Sequence, residues 1–489
     1  MTIANADKLY IDGRWVGASG NSVFRVVTPA TEALFTEVAE AHEPDIDRAV
    51  AAARVAFDRG GWPQLSHAKR AGYLTALGNA LTAETPAIAR AWSKEMGIVL
   101  PAAEGVAGWA GHVYHYYAGL AETFQFEEVK PLQSGNFGLL VREAVGVVAA
   151  IIPWNAPPLL IAYKIAPALL AGCTVILKAS PEAPSAAYAV AAAAEAIGLP
   201  AGVLNVLTAD RAASELLVRD PRVDKVTFTG SSLAGKRIAS ICGERIARCT
   251  LELGGKSAAL VLDDADIDQV ADVMAGNSTL MTGQVCAALT RVVVSRSRQG
   301  ALLDALAGRF SRIVVGDPLE QGTQMGPLAM ARQRDRVESY IAAGKAEGAM
   351  LVTGGGRPAH LDRGYYVEPT LFGNVDNRST IAQEEIFGPV LSVIPVDSEE
   401  AAVAIANDSS FGLSGGVFTH DADRAYRVAR QMRTGTVGQN GQAGDFFNIA
   451  FGGFKQSGIG REGGVEGLLP FLETKSVVLA AAPSHLAIN

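Results

Sequence analysis

Two rhythms of apolar positions run along this chain. Between residues 46 and 123 the apolar residues recur at helical spacing, within stretches rich in alanine. Pro44-Asp45 opens a helix over 46–57 with an acidic first turn, and Gly60-Gly61 closes it. Further helical stretches cover 66–96 and 101–123. Before them, 9–27 reads as two short strands around turns, and 124–142 alternates as a hairpin does. From residue 145 the rhythm changes to short strand-like runs separated by helices. The run at 145–152 predicts a strand buried on both faces, and 174–178, 203–207, 225–229 and 248–253 read as further strands. Helices over 158–171, 185–197, 211–219 and 232–241 lie between them. This alternation predicts a doubly wound parallel sheet, whose ligands gather at the carboxyl ends of the strands. A second α/β domain begins near residue 253, with strands at 257–262, 291–294, 390–394 and 415–419 and helices at 266–280, 329–347 and 398–406. A last β segment at 473–479 has no partner nearby in sequence and is expected to pair with the 124–142 hairpin of another subunit.

Composition narrows the class. The chain has 489 residues, 49% of them hydrophobic and 19% charged, enough for two or three packed domains. A net charge of −8 without a basic run argues against nucleic acid as a partner. Cys173, Cys242, Cys249 and Cys286 form no CxxC pair and no metal-ligand spacing, which points to a reducing, cytoplasmic setting with no metal. The apolar stretch 144–177 is broken by Pro153, Pro157, Pro158 and Pro167 and holds Asn155 and Lys164, so it is no membrane span.

Candidate chemistry sits at strand ends and in one later loop. Cys286 is flanked by Gly283, Ala287 and Ala288, which leave a thiol open to attack a carbonyl carbon. Glu252, at the end of a strand, can activate the water that releases the product. Asn155, just past another strand and before two prolines, offers a rigidly placed amide donor, or else a simple turn former. Gly230 to Arg237 nearly matches a phosphate loop, but Arg237 replaces the hydroxyl that would hold magnesium. It still opens a helix after a strand, which suits a pyrophosphate. Lys178 ends a strand, where it either reaches a ribose or a phosphate or stands as a solvated lysine. No GxGxxG follows the early strands. Ser414 lies in a GxSxG match, yet a strand follows it rather than a helix, so it reads as a turn residue. Residues 457–464, with Glu462, read from composition as a mobile glycine-rich loop.

Taken in order, the segments Pro153–Asn155, Phe228–Ser231, Leu251–Lys256, Gly283–Cys286, Glu384–Pro389 and Gly458–Glu462 resemble the aldehyde dehydrogenase superfamily, nearly end to end. Residues 364–370 look like a further family element. The resemblance implies two doubly wound α/β domains plus a small β oligomerisation arm. Residues 1–123 and 143–252 would form the dinucleotide-binding domain, 253–465 the catalytic domain, and 124–142 with 466–489 the arm of a homodimer or homotetramer. It implies NAD(P)-dependent oxidation of an aldehyde to an acid. Cys286 would be the nucleophile, Asn155 an oxyanion donor and Glu252 the base that deacylates the enzyme. The presence of Glu252 favours hydrolysis over transfer to coenzyme A. Ile151, Pro153, Trp154, Lys178, Gly230, Ser231, Gly235, Leu253, Glu385 and Phe387 would line the cofactor.

Departures from the family pattern refine this. Where many NAD-using members carry a glutamate three residues after the lysine, this chain has Pro181, with Glu182 next; NAD is favoured over NADP. Ala156 stands where many relatives carry a bulky residue, implying a wider tunnel that admits aromatic or bulky aldehydes. Leu159, Tyr163, Leu280, Phe447 and Phe451 are its expected apolar walls. Two readings compete with this one: a catalytically silent relative acting as a binding or structural protein, and a phosphate-loop nucleotide hydrolase.

Overall fold

Two open sheets carry the chain, and the sequence rhythm explains why each strand is buried. The computed structural model describes residues 3–442 and 447–484. The extreme ends of the predicted 1–123 and 466–489 segments therefore lie outside the described residues. The first sheet has eight strands. Its parallel centre runs, side by side, Arg248–Glu252, Lys225–Thr229, Val147–Ile151, Thr174–Ala179 and Leu204–Thr208. In Val147–Ile151, residues 148 and 150 enter one apolar cluster, with the helix Pro157–Ala171. Residues 147, 149 and 151 enter another, with the helices Glu43–Asp58 and Ser232–Glu244. Helices thus cover both faces, and the period-2 alternation is apolar on each side. Each valine or isoleucine so buried contributes about 1.5–3 kcal/mol.

The N-terminal run makes three strands rather than two. Lys8–Ile11 and Arg14–Gly17 form a hairpin on the sheet edge, and Val23–Val27 pairs separately with Leu34–Ala39. The helical stretch 66–96 is broken into His67–Ala83 and Thr85–Met96, because Pro86 fits only the first turn of a new helix. The apolar stretch 144–177 is strand, helix and strand, and no described helix is long and apolar enough to cross a membrane.

The second sheet has seven strands. Its parallel part orders Thr370–Gly373, Val390–Val396, Leu289–Ser295, Ser257–Val261, Ser414–Phe418 and Thr436–Gln439, and Met350–Thr353 pairs antiparallel at one edge. Ser414 is the first residue of a strand rather than a turn residue, and since no strand leads into it and no helix directly follows, the hydrolase context is absent.

Two expectations are corrected. The C-terminal strand Leu472–Leu479 needs no other subunit, because it pairs antiparallel with Phe137–Ala144 of its own chain. With Glu127–Pro131 these make a three-stranded sheet. The glycine-rich stretch 457–464 is no mobile loop. Gly458 and Ile459 pair with Glu252 and Leu251 and extend the first sheet at its edge. A Cβ on Gly458 would lie 2.1 Å from the Leu251 carbonyl oxygen, so the close approach itself requires glycine there.

Candidate active site

The first sheet changes direction between Val147–Ile151 and Lys225–Thr229, where Ile151 pairs with Phe228. Successive strands lead away from this point on either side, which opens a crevice at the carboxyl ends. The chain leaving Ile151 carries Pro153, Trp154 and Asn155 into that crevice. Asn155 is buried and donates an amide hydrogen to the Gln284 carbonyl at 3.1 Å. A residue in the loop just past the first sheet's strand Val147–Ile151 thus fastens the loop that carries Cys286.

That loop has an unusual backbone. Met281, Thr282 and Gly283 all take left-handed φ, at 52°, 57° and 71°. Side chains hold the strained turn in place. Thr282 Oγ1 donates to the Gly326 carbonyl at 3.0 Å, and the Ala329 N–H donates to Gln284 Oε1 at 3.0 Å. A Cβ on Gly283 would lie 2.3 Å from the Gly388 backbone. The turn therefore presses against the loop bearing Glu385 and Phe387. Cys286 is half-buried. Burial, then the Glu385 and Glu252 carboxylates, push its thiol up to about 12, while the N–H groups of Ala287 and Cys286 itself pull the other way.

Glu252 ends its strand with a buried carboxylate whose two oxygens have no hydrogen-bond partner among the described residues. Gly452 leaves it room; a Cβ there would lie 2.6 Å from Oε1. Burial and the nearby Glu462 raise its proton affinity well above the ordinary carboxylate range, against Lys164 and Arg461. Lys164 and Glu462 form a fully buried ion pair, and Lys164 also donates to Thr229 Oγ1 at 2.7 Å. Neither was singled out as a site residue from the sequence. The signal was present in Lys164, a charge within an apolar run, because burying such a charge demands a partner.

The cofactor-side residues gather around the same crevice. Ser231 caps the helix Ser232–Glu244, accepting from the Ala234 N–H. Gly230 donates its N–H to the Glu252 carbonyl at 3.0 Å, and Gly235 packs on Leu253, where a Cβ would meet that side chain at 2.5 Å. Lys178 is buried at its strand end, and burial lowers it to about 8 despite Glu182 and Asp210. Glu182 bonds Ser180 and Arg332, which hold its carboxyl low against burial. Glu385 accepts from the Gly255 N–H at 3.1 Å; burial raises it to about 7. Gly254 has no room for a Cβ because this carboxylate would lie 2.3 Å away. Phe387 holds φ at 62° and meets Trp154 edge-on, with ring centroids 5.5 Å apart.

The expected walls divide. Ala156, Leu159 and Phe447 pack half-buried on the first apolar cluster, Tyr163 is buried within it and Phe451 is half-buried. Leu280 is 43% exposed and stands at the rim rather than in a wall. The sequence reading missed an aromatic group on the helix Leu100–Thr123. Trp109, His112 and Tyr116 surround the Phe447 ring, with centroids 5.6, 6.5 and 6.0 Å from it. Their spacing of three and four residues places them on one helical face, a pattern visible in the sequence.

Comparison with known proteins places the chain in a family. The aldehyde dehydrogenase family profile matches residues 15–477. A geranial dehydrogenase of Castellaniella defragrans is 44% identical, covering 98% of this chain and 100% of its own. A 3-succinoylsemialdehyde-pyridine dehydrogenase of a Pseudomonas species is 42% identical, covering 96% and 98%. The crystal structure of a Mycobacterium tuberculosis aldehyde dehydrogenase complexed with NAD+ superposes with a TM-score of 0.95 at 43% identity, covering 99% of both chains. With this match along almost its whole length, the chain belongs to the aldehyde dehydrogenase family.

Proposed function

We propose that this chain oxidises an aldehyde to its carboxylic acid through a thioester on Cys286, with NAD as hydride acceptor. One observation carries the reading. A thiol loop is locked to Asn155, and in the field of that thiol stands Glu252, whose buried carboxylate has no hydrogen-bond partner among the described residues. An unpartnered buried carboxylate is costly and is retained where a reacting group will meet it.

The residues present fit a dinucleotide. The capped helix N-terminus at Gly230–Gly235 suits a pyrophosphate. Glu385 and Lys178 offer an acceptor and a donor for ribose hydroxyls. Glu182 places a negative charge near Lys178, which disfavours a 2′-phosphate and supports NAD over NADP. The Mycobacterium tuberculosis relative's complex with NAD+ supports the same choice. When bound, the nicotinamide supplies the two-electron acceptor. The chain's own groups do the rest. Glu252, with its raised proton affinity, takes the Cys286 proton, and the thiolate attacks the aldehyde carbon. Asn155 spends one amide hydrogen on Gln284 and keeps the other for the oxyanion, beside the Cys286 N–H. One such donor is worth about 3–4 kcal/mol. Glu252 then activates water against the thioester. The Lys164–Glu462 pair behind it offers the released proton a way inward.

The substrate is a bulky or aromatic aldehyde. Ala156 leaves space, and the ring group of Trp109, His112, Tyr116 and Phe447 offers flat apolar surface. Two relatives named for a terpenoid and a pyridine aldehyde support this. Residues 1–123 and 143–252 are assigned to cofactor binding, 253–465 to catalysis, and the sheet of the 124–142 and 466–489 segments to assembly as a homodimer or homotetramer. The four free thiols support a cytoplasmic location.

Formation of reduced nicotinamide, read by near-UV absorbance with NAD and NADP across aliphatic and aromatic aldehydes, tests the proposal. Turnover that disappears in Cys286→Ala and stalls as acyl-enzyme in Glu252→Gln is expected. Full turnover in Cys286→Ser would remove the nucleophile from this role.

A further inference from the structure

A cavity of about 530 Å³ shares no residue with the crevice described above. Three segments enclose it: the turn at Ala30, the stretch 314–323 beyond the helix Arg296–Phe310, and the stretch 360–366 before the strand Thr370–Gly373. Ala30, Val315 and Tyr366 on its wall belong, with Met325, to an apolar cluster separate from the cores of the two sheets. Backbone bonds fix the walls. The Gly316 N–H donates to the Met325 carbonyl at 3.1 Å, and the Tyr365 N–H to the Pro29 carbonyl at 2.9 Å. His360 Nε2 donates to the Val315 carbonyl at 3.0 Å and ties one stretch to the other. A cavity of this size suits a small organic molecule rather than a single ion.

Its lining is acidic. Asp317, Glu320 and Asp362 face one guanidinium, that of Arg363. None of the three carboxylates is in an ion pair among the described residues. The Leu319 N–H donates to Asp317 Oδ1 at 2.9 Å, which holds that side chain in place and leaves its other oxygen free. Among the described residues no group of three acids, histidines or cysteines gathers closely enough to hold a metal, so the charge is spread as an extended cation requires. A second observation points to a ligand. Tyr366 lines the cavity and is 4% exposed, yet its hydroxyl makes no hydrogen bond among the described residues. The Asp317 and Glu320 carboxylates stand near enough to that hydroxyl to add to burial in keeping its proton in place. Gly364, at a left-handed φ of 95°, packs so closely on the Tyr366 ring that a Cβ there would collide with it. The ring is thus held where it is, with its polar end unsatisfied. A buried hydroxyl without a partner is costly and calls for an occupant that meets it.

We propose that this cavity is a second binding site, which takes a short aliphatic amine in its ammonium form. The ammonium donates to the Asp317 and Glu320 carboxylates and to the Tyr366 oxygen, and its alkyl stem lies on Ala30, Val315 and Leu361. An ammonium has three hydrogens to give and no acceptor, which matches a wall of two carboxylates and one hydroxyl oxygen. An anionic ligand meets like charge here, and a neutral one leaves the carboxylates without a counter-ion. The site does not depend on the aldehyde chemistry proposed above.

Calorimetric titration of the full-length protein with n-butylammonium chloride tests this, with n-butanol as the neutral probe of similar length. Saturable binding of the amine is expected in the parent protein, with n-butanol at least about tenfold weaker. The dissociation constant of the amine should rise about tenfold or more in Asp317→Asn/Glu320→Gln and should also rise in Tyr366→Phe. Leu361→Trp fills the cavity without removing a charge and should abolish binding, which keeps the test decisive if the double variant fails to fold. No saturable binding of the amine to the parent would overturn the site. Binding that survives both the double variant and Leu361→Trp would place the amine elsewhere and overturn it equally. Equal affinity for n-butanol would overturn the choice of a cation. The heat of binding is read without cofactor or aldehyde, so a chain that oxidised no aldehyde would still answer.

Discussion

At Gly283 a single hydrogen decides where the nucleophile stands. Its φ of 71° and its contact with the Gly388 backbone leave no place for a methyl group. Gly283→Ala should displace the Cys286 loop and lower kcat/KM about a hundredfold, as misplacement by about an ångström does, with little change in overall fold by circular dichroism. Glu385 carries a pH dependence. Burial raises its carboxyl to about 7 in the chain without cofactor, and on the proposed assignment the ionised form is the one that would accept two ribose hydroxyls. Below pH 7 binding must also remove a proton, so NAD affinity should fall as pH drops through that range and level off above it. Glu385→Gln should bind about tenfold more weakly and show no such slope in calorimetric titrations. These two residues were legible to different degrees. Glu385 stands in a recognisable motif, but its contact with Gly254 and Gly255 joins residues about 130 positions apart, which no local pattern reports.

At the scale of elements, the helix Pro157–Ala171 and the stretch after Phe451 meet through Lys164 and Glu462. The pair is buried, so removing one charge leaves the other unpaired. Lys164→Met should destabilise the fold by about 3–5 kcal/mol, read as a lower urea midpoint, and the double variant Lys164→Met/Glu462→Leu should recover most of the loss. Glu462→Gln also removes a negative charge near Glu252. The acid limb of the kcat profile should therefore move to lower pH, because Glu252 then loses its proton more easily. An unmoved limb would separate Glu462 from the base. The helix at 157–171 was readable from its apolar run. The partner of its lysine was not, because Glu462 sits in a stretch whose composition suggests mobility. Pairing of Gly458 and Ile459 with the first sheet supplies the order that composition hid.

For the whole molecule, the strand Leu472–Leu479 closes a three-stranded sheet within the chain. That sheet still exposes Val129 and Val478, at 52% and 59%. Exposed apolar residues on so small a sheet are consistent with its proposed role in assembly. Val129→Glu/Val478→Glu should lower the mass seen by sedimentation while leaving the far-UV spectrum unchanged. The sequence showed a strand without a partner and assigned it one in another subunit. Chain topology decided otherwise, since Phe137–Ala144 had an open edge at the right register.

By itself the sequence determined the alternation of strands and helices, because a strand covered on both faces is mostly apolar over a short run while a helix spreads its apolar residues at wider spacing. It also determined which residue types stand at the strand ends, and their motifs identify the family. Only the tertiary structure decided which of those residues meet. The locking of the Cys286 loop by Asn155, the solitude of the Glu252 carboxylate, the Lys164–Glu462 pair and the aromatic group around Phe447 all join segments distant in sequence. Their energies come from burial and mutual contact, and neither exists until the two sheets have packed.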